Sequence, residues 1–354
     1  MKWNLPAPEF YSPNNAENPA YYREIGLPGP SSPFPRLIDL AEIYRMKHRV
    51  PVVNLEDPEI VLTLVDMNRD FCDPNGSLAV AGAMSDQRRQ VEFIYRHMRY
   101  LKQIILTADS HPTTMVTTPH FLIDSNGNHP EPKVTTFEES DFVKGKWRVN
   151  PTIVSMLPGG YTEEFINEFL AYYCQKLVEL ERPQLRTWPE HCRTATRGQS
   201  LMGVLDEAVM FHEYVRGTIN PVITKGESPY LECFSALGPD ILTFHDGTPI
   251  PLAQENRRLL DNIFLAEAWI VGGQASTHCV PATVLRVLEK QPWLAKATYY
   301  LEDAMSPVEG LEFLADEAKV KLSALGVHFV KTTDPIENWP GIMPELVAEM
   351  DQKS

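Results

Sequence analysis

Cys279 follows a glycine-containing turn, Gly272-Gly273-Gln274-Ala275-Ser276-Thr277-His278, and stands at the predicted start of a helix. The positive end of a helix dipole favours a thiolate at that position. Backbone N–H groups in such a turn can also receive an oxyanion. A free cysteine taken alone is more often a small buried hydrophobe, so Cys279 needs partners to count as a nucleophile. Cys72, Cys174, Cys192 and Cys233 have no comparable setting and read as structural thiols. An acid, Asp66, and a lysine, Lys225, each end a short apolar run. Asp109-Ser110-His111 offers two metal donors at i, i+2, on the same side of an extended segment. Two donors do not make a metal centre, which needs at least three protein groups. His120 and His191 are the nearest candidates for the third, and an isolated D-x-H is more often a surface loop.

The elements that must position these residues follow from periodicity. Ile60–Val65 is apolar and rich in β-branched residues, as buried parallel strands are. Similar runs recur at Gln103–Ala108, Pro221–Thr224, Ala268–Val271, Thr298–Leu301 and Val327–Val330. Amphipathic helices are predicted between them at Ser85–Lys102, Gln199–Arg216, Glu255–Glu267, Thr277–Lys290 and Pro307–Leu325, the last bounded by Pro307 and Gly326. Strand alternating with helix predicts a three-layer α/β/α fold around a six-stranded, mostly parallel sheet. Ligands bind beyond the carboxyl ends of such strands. Asp66, Asp109, Lys225 and the turn before Cys279 all fall at those ends, so the sequence converges an acid, a lysine, a cysteine and a metal-donor pair on one rim.

Two regions break the rhythm. Residues 1–59 are a proline-rich extension, an arm expected to wrap over the domain or a neighbouring subunit, with one helical stretch at Arg36–Lys47. Residues 112–187 show no clear sheet strand but a polar loop region followed by a long helix, Thr162–Glu181, and read as an inserted subdomain. The main α/β domain is expected over 60–335, with 336–354 as a C-terminal tail.

Composition narrows the function. The 354 residues include 32 basic and 47 acidic side chains, a net charge of −15, and no basic stripe, which argues against a nucleic-acid partner. No run of 18 apolar residues exists, so no membrane span is expected. The absence of an apolar leader and of paired cysteines points to reduced thiols in a cytoplasmic protein. Gly272-Gly273 is not a G-x-G-x-x-G phosphate loop, which weakens a nucleotide-cofactor oxidoreductase.

Several segments, in the right order, resemble the nicotinamidases within the isochorismatase-like cysteine hydrolases. Val65-Asp66-Met67-Asn68-Arg69-Asp70-Phe71-Cys72 resembles the family's D-x-Q-x-D-F-C, Thr107-Ala108-Asp109-Ser110-His111-Pro112 its D-x-H-P, and Trp188-Pro189-Glu190-His191-Cys192 its W-P-x-H-C. Lys225-Gly226 with Glu232-Cys233-Phe234-Ser235-Ala236 is similar to K-G…D-S-Y-S-A. Gly272–Val280 is similar to the G-x-A-T-D-x-C-V nucleophile turn, and Leu301-Glu302-Asp303-Ala304 fits the end of the next strand. The resemblance covers roughly residues 60–111 and 188–331. It implies Cys279 as nucleophile, Asp66 as general base and Lys225 between them. It implies an oxyanion hole from the N–H groups of Ala275 and Cys279, with a cis peptide at Gln274–Ala275. Asp109, His111 and His191 would bind one divalent metal (zinc, manganese or iron), and His120 lies where some members place a further histidine. Phe71 and Trp188 would stack on the substrate ring, with the metal holding its pyridine nitrogen and a water.

The chain also departs from that pattern. Asn68 and Arg69 replace the usual Gln and Asn, and Arg69 is expected either to bring a cation to the mouth of the site or to pair with a nearby acid. Ser276-Thr277 stands where Thr-Asp is usual, and 76 residues separate His111 from Trp188. The leading reading is a metal-dependent cysteine amidase that converts nicotinamide or a related small carboxamide to the acid and ammonia through a thioester. The alternative is a cysteine hydrolase of the same fold acting on a bulkier or acidic amide. A non-catalytic scaffold ranks third, because Cys279, Asp66 and Lys225 are all retained. A small-molecule amide is the expected partner, with homo-oligomerisation compatible.

Overall fold

The computed structural model describes residues 4–21 and 36–353; the remainder of the proline-rich arm, 1–3 and 22–35, and the final residue 354 lie outside the described residues. The strands are β1 (Ile60–Val65), β2 (Gln103–Asp109), β3 (Leu122–Asp124), β4 (Trp147–Val149), β5 (Val222–Lys225), β6 (Ala268–Gly273), β7 (Thr298–Leu301) and β8 (His328–Val330). Six of them form one sheet in the order β5-β2-β1-β6-β7-β8, and every pairing is parallel. With its flanking helices this is the expected three-layer α/β/α arrangement.

Each residue of β1 and β6 is buried, which is why both read as unbroken apolar runs rather than as alternation. The one hydroxyl in β1, Thr63, accepts a hydrogen bond at 2.8 Å from the indole N–H of the buried Trp269 in β6. The chain runs from β1 outward to β2 on one side, and later returns to place β6 on the other side. The crevice at the carboxyl ends of β1 and β6 is therefore the switch point where open α/β sheets take ligands.

The helices sit where periodicity puts them, with shifted ends: Ala83–His97, which starts two residues early and stops five early, and Gly203–Arg216, Arg257–Ile263, Cys279–Lys290 and Glu312–Leu325, each shorter than expected. The last begins five residues after Pro307, which lies in the approach loop, and stops at Gly326 in a left-handed conformation. The C-terminal stretch is not loose: Met343–Gln352 is a helix that buries Met343, Leu346, Val347 and Met350.

The described part of the arm docks in cis. Leu5 N–H donates to Arg96 O at 3.1 Å. The ring of Phe10 meets Phe211 edge-on at 5.1 Å, and Gln87 Nε2 donates to Ala16 O at 2.9 Å. The helix predicted at Arg36–Lys47 forms over Leu37–His48, and its Tyr44 hydroxyl donates to Pro6 O at 2.6 Å. Residues 112–187 hold the short antiparallel β3–β4 ribbon, which the sequence does not announce, and the long helix Glu163–Glu179. They build a second apolar cluster around Phe121, Phe169 and Leu170, which Tyr230 and Phe244 from the β5–β6 connection complete. No helix among the described residues is long and apolar enough to cross a membrane.

Candidate active site

Sheet order explains how residues far apart in sequence become neighbours. Asp109 ends β2 opposite Lys225 at the end of β5. Asp66 follows β1, and the register pairs Val65 with Gly273, the last residue of β6. A Cβ on Gly273 would lie 2.1 Å from Val65 O, so only glycine lets the turn carrying Cys279 leave the sheet this close to Asp66.

Lys225 is the hub. Its ammonium lies 2.9 Å from Asp66 Oδ2, 2.6 Å from Asp109 Oδ1, 2.8 Å from Cys233 O and 3.7 Å from Cys279 Sγ. It donates to Asp109 Oδ1, Cys233 O and Cys279 Sγ, and pairs with Asp66 Oδ2 as an ion pair. The other oxygen of Asp66, Oδ1, accepts from the Thr107 hydroxyl at 2.7 Å. Burial raises the Asp66 carboxyl above its usual range; Lys225 pulls it back and Asp109 adds to the rise. Burial also pushes the Cys279 thiol well up, with Lys225 opposing and both carboxylates reinforcing, including a hydrogen bond to Asp66. Burial and the two carboxylates thus favour the protonated thiol, and Lys225 opposes them.

The turn before Cys279 contains the expected cis peptide at Gln274–Ala275. Neither Ala275 N–H nor Cys279 N–H has a hydrogen-bond partner among the described residues, so both donors stay available.

Asp109, His111 and His191 form the metal-capable group, with their ligand atoms all within 4.8 Å of one another. His111 Nδ1 lies 3.0 Å from Gly226 O and His191 Nδ1 lies 2.7 Å from Pro189 O. A carbonyl only accepts, so both rings donate from Nδ1, and a neutral ring then presents Nε2 as a lone-pair donor. Both Nε2 atoms face Asp109 Oδ2, at 3.3 and 3.7 Å. Anchored outer nitrogens, converging inner nitrogens and a carboxylate are a donor set that suits a divalent ion such as zinc. Burial opposes ionisation of Asp109, but Lys225, His111 and His191 outweigh it and hold the carboxyl well below its usual range. Gly226 has a φ of +82°, and a Cβ there would strike the His111 ring. His120 does not join this group. Its Nδ1 pairs with Glu190 at 3.2 Å, on the half-exposed side of the insertion.

Phe71, Trp188, His191, Cys279 and Ala275 line one narrow pocket of about 40 Å³ free volume, together with Asp109. The predicted nucleophile, oxyanion donors, ring-stacking residues and part of the metal group therefore share a cavity. Arg69 does not open onto it. Its guanidinium donates to Pro19 O of the arm at 2.6 Å and pairs with Asp73 at 3.4 Å, so of the two expectations the paired acid is the one found.

In fold, this chain is similar to nicotinamidases. The yeast nicotinamidase Pnc1p is 20% identical, with a TM-score of 0.49 over 77% of this chain and 99% of that one. A nicotinamidase/pyrazinamidase from Acinetobacter baumanii is 18% identical, with a TM-score of 0.48 over 79% and 99%. The pyrazinamidase of Pyrococcus horikoshii, solved in complex with zinc, is 18% identical, with a TM-score of 0.42 over 77% and 99%. No family model and no curated protein matches the sequence.

Several pocket residues escaped the sequence reading. Glu232 lies at the pocket wall, where Oε2 accepts from Trp188 Nε1 at 3.1 Å and Oε1 from Cys233 N–H at 2.9 Å; burial raises its carboxyl. An acid within the run Tyr230–Phe234, otherwise apolar, was the available signal. His278 lies against Trp188 and Phe234, at ring separations of 5.4 and 5.2 Å. Asp70 accepts from Cys192 N–H at 2.7 Å, which ties the loop bearing His191 to the helix bearing Phe71.

Proposed function

We propose that this protein is a metal-dependent cysteine amidase that hydrolyses nicotinamide or a related small carboxamide. The observation that carries the proposal is the reach of one ammonium: Lys225 touches Asp66, Asp109 and Cys279 Sγ at once. Nucleophile, base and metal group then act on a single bound molecule.

Sγ adds to the carboxamide carbon as its proton passes to Asp66. The carbonyl oxygen takes up negative charge facing the N–H groups of Ala275 and Cys279, a contribution on the order of 10²–10³ in rate per donor in comparable sites. As the C–N bond breaks, Asp66 returns the proton to the leaving nitrogen, ammonia departs and a thioester remains. Water then attacks with Asp66 again accepting the proton, the C–S bond breaks, and the thiol is restored with the acid as product. Lys225 keeps its charge throughout and offsets the negative charge of Asp66 each time that carboxylate is ionised. Phe71 and Trp188 supply apolar walls for a flat ring. A divalent ion held by Asp109, His111 and His191 supplies a Lewis-acidic anchor for a ring nitrogen or a water.

Release of ammonia from nicotinamide and pyrazinamide by the purified protein tests this reading. Cys279→Ala is expected to abolish release with an unchanged urea midpoint. Full turnover by that variant removes the nucleophile assignment.

The alternative reading, a hydrolase of this fold for a bulkier amide, is favoured by one observation: a second, larger cavity adjoins the pocket through Phe234 and His278.

A further inference from the structure

The ring pair Phe234–His278 has a cavity on each side. The inner one contains Cys279 and has about 40 Å³ of free volume. The outer one has about 240 Å³, and its walls come from the first turns of the Cys279–Lys290 helix, from the Glu312–Leu325 helix, and from the chain just after the insertion's long helix. The inner pocket is apt for a compact reactive head, and the outer cleft has room for much more.

The chemistry of the outer cleft selects what that is. Its floor is apolar, made by Pro183, Pro281, Ala282, Leu285, Leu314 and Ala318. Its arginines are already committed: Arg182 to Asp240 at 2.7 Å and Glu289 at 2.8 Å, and Arg286 to Asp240 and, at 3.6 Å, Glu255. The rim carries Glu181 and Glu317 against Lys321, which gives no net attraction for an anion. The outer wall is also lightly held, since the Glu312–Leu325 helix buries only Ala318 and Leu322.

We propose that the substrate is a carboxamide bearing an apolar extension. The carboxamide occupies the inner pocket against Cys279, and the extension crosses the edge of Phe234 and lies on the apolar floor of the outer cleft. Phe234 and His278 are the specificity-determining residues, because they alone among the described residues border both spaces. This rests on the amidase reading above for the identity of the head group, while the cleft itself is tested by binding.

The experiment measures Kd by calorimetry on the Cys279→Ala protein and kcat/KM for ammonia release by the wild type. The probes are nicotinamide and its derivatives carrying propyl, phenyl, carboxylate or aminomethyl groups at ring carbon 5 or 6. Propyl or phenyl is expected to tighten binding and raise kcat/KM at least tenfold at one of the two positions, and the charged groups to give no gain. Ala282→Phe, which fills the floor, and Lys321→Trp, which covers it from the rim, are each expected to bring the extended-to-parent ratio back towards one. Equal or better binding of a charged extension, no gain from an apolar one, or a ratio unmoved by both variants overturns the proposal. If apolar extensions bind tighter but no compound releases ammonia, the amidase reading falls and the cleft assignment stands.

Discussion

Gly226→Ala separates a positioning role for one carbonyl from mere presence of the metal donors. The added Cβ would lie 2.4 Å from His111 Cε1 and 2.6 Å from Nδ1, where ordinary contact begins near 3.4 Å. The ring or the Lys225-Gly226 turn must therefore give by about 1 Å. The φ of +82° adds a left-handed penalty of about 1–2 kcal/mol for any L side chain. Folding stability is expected to fall by about 1–3 kcal/mol in urea titrations. The 3.0 Å bond from His111 Nδ1 to Gly226 O is lost or bent, and loss of such an outer anchor costs about 10–100-fold in metal affinity. Competitive zinc titration with a chromogenic chelator reads this directly, on protein shown to be folded by circular dichroism. An affinity within twofold of wild type, in a folded variant, refutes the idea that Gly226 O aims His111.

Lys225→Met leaves two buried carboxylates without their common cation, and is expected to cost about 3–5 kcal/mol in urea and to abolish turnover. An equally stable variant contradicts the hub. Asp70→Asn keeps the shape but weakens the bond to Cys192 N–H, so metal affinity should fall while the reactivity of Cys279 towards iodoacetamide is retained; unchanged affinity removes Asp70 from the support of the His191 loop. His97 is buried, neither ring nitrogen has a hydrogen-bond partner among the described residues, and burial, helped by Arg96, lowers its pKa to about 3. A depressed imidazole pKa stabilises the fold above the ordinary value near 6.5, and that contribution is lost as pH falls from there towards 3. His97→Leu should therefore flatten the stability profile between pH 8 and pH 5 by about 2 kcal/mol, and an unaltered slope shows that His97 is protonated at no such cost.

The parallel sheet was legible because β1 and β6 are buried on both faces and leave no room for polar residues; their ends then located Asp66 and the Cys279 turn without further information. The local features that need only spacing, the D-x-H pair and the helix start at Cys279, survived into the structure for the same reason. What could not be read depended on contacts across the insertion. The β3–β4 ribbon is three residues per strand, too short for a period to register. Glu232 reaches the pocket from the β5–β6 connection, whose Tyr230 and Leu231 pack into the insertion's second cluster, and His278 meets Trp188 and Phe234 only in three dimensions. Arg69 reads as a cation at the mouth until the arm supplies Pro19 O as its acceptor.

His111 and His191 stand just before and just after the excursion that builds the second apolar cluster. An ion held by both would therefore close that excursion at its base as a covalent cross-link does, removing the closure entropy of a long loop from any partly opened state. Glu181, Arg182 and Pro183, the part of the insertion that lines the outer cleft, would then be tied to the metal. Opening of the insertion and release of an ion bound at its base would then be coupled events.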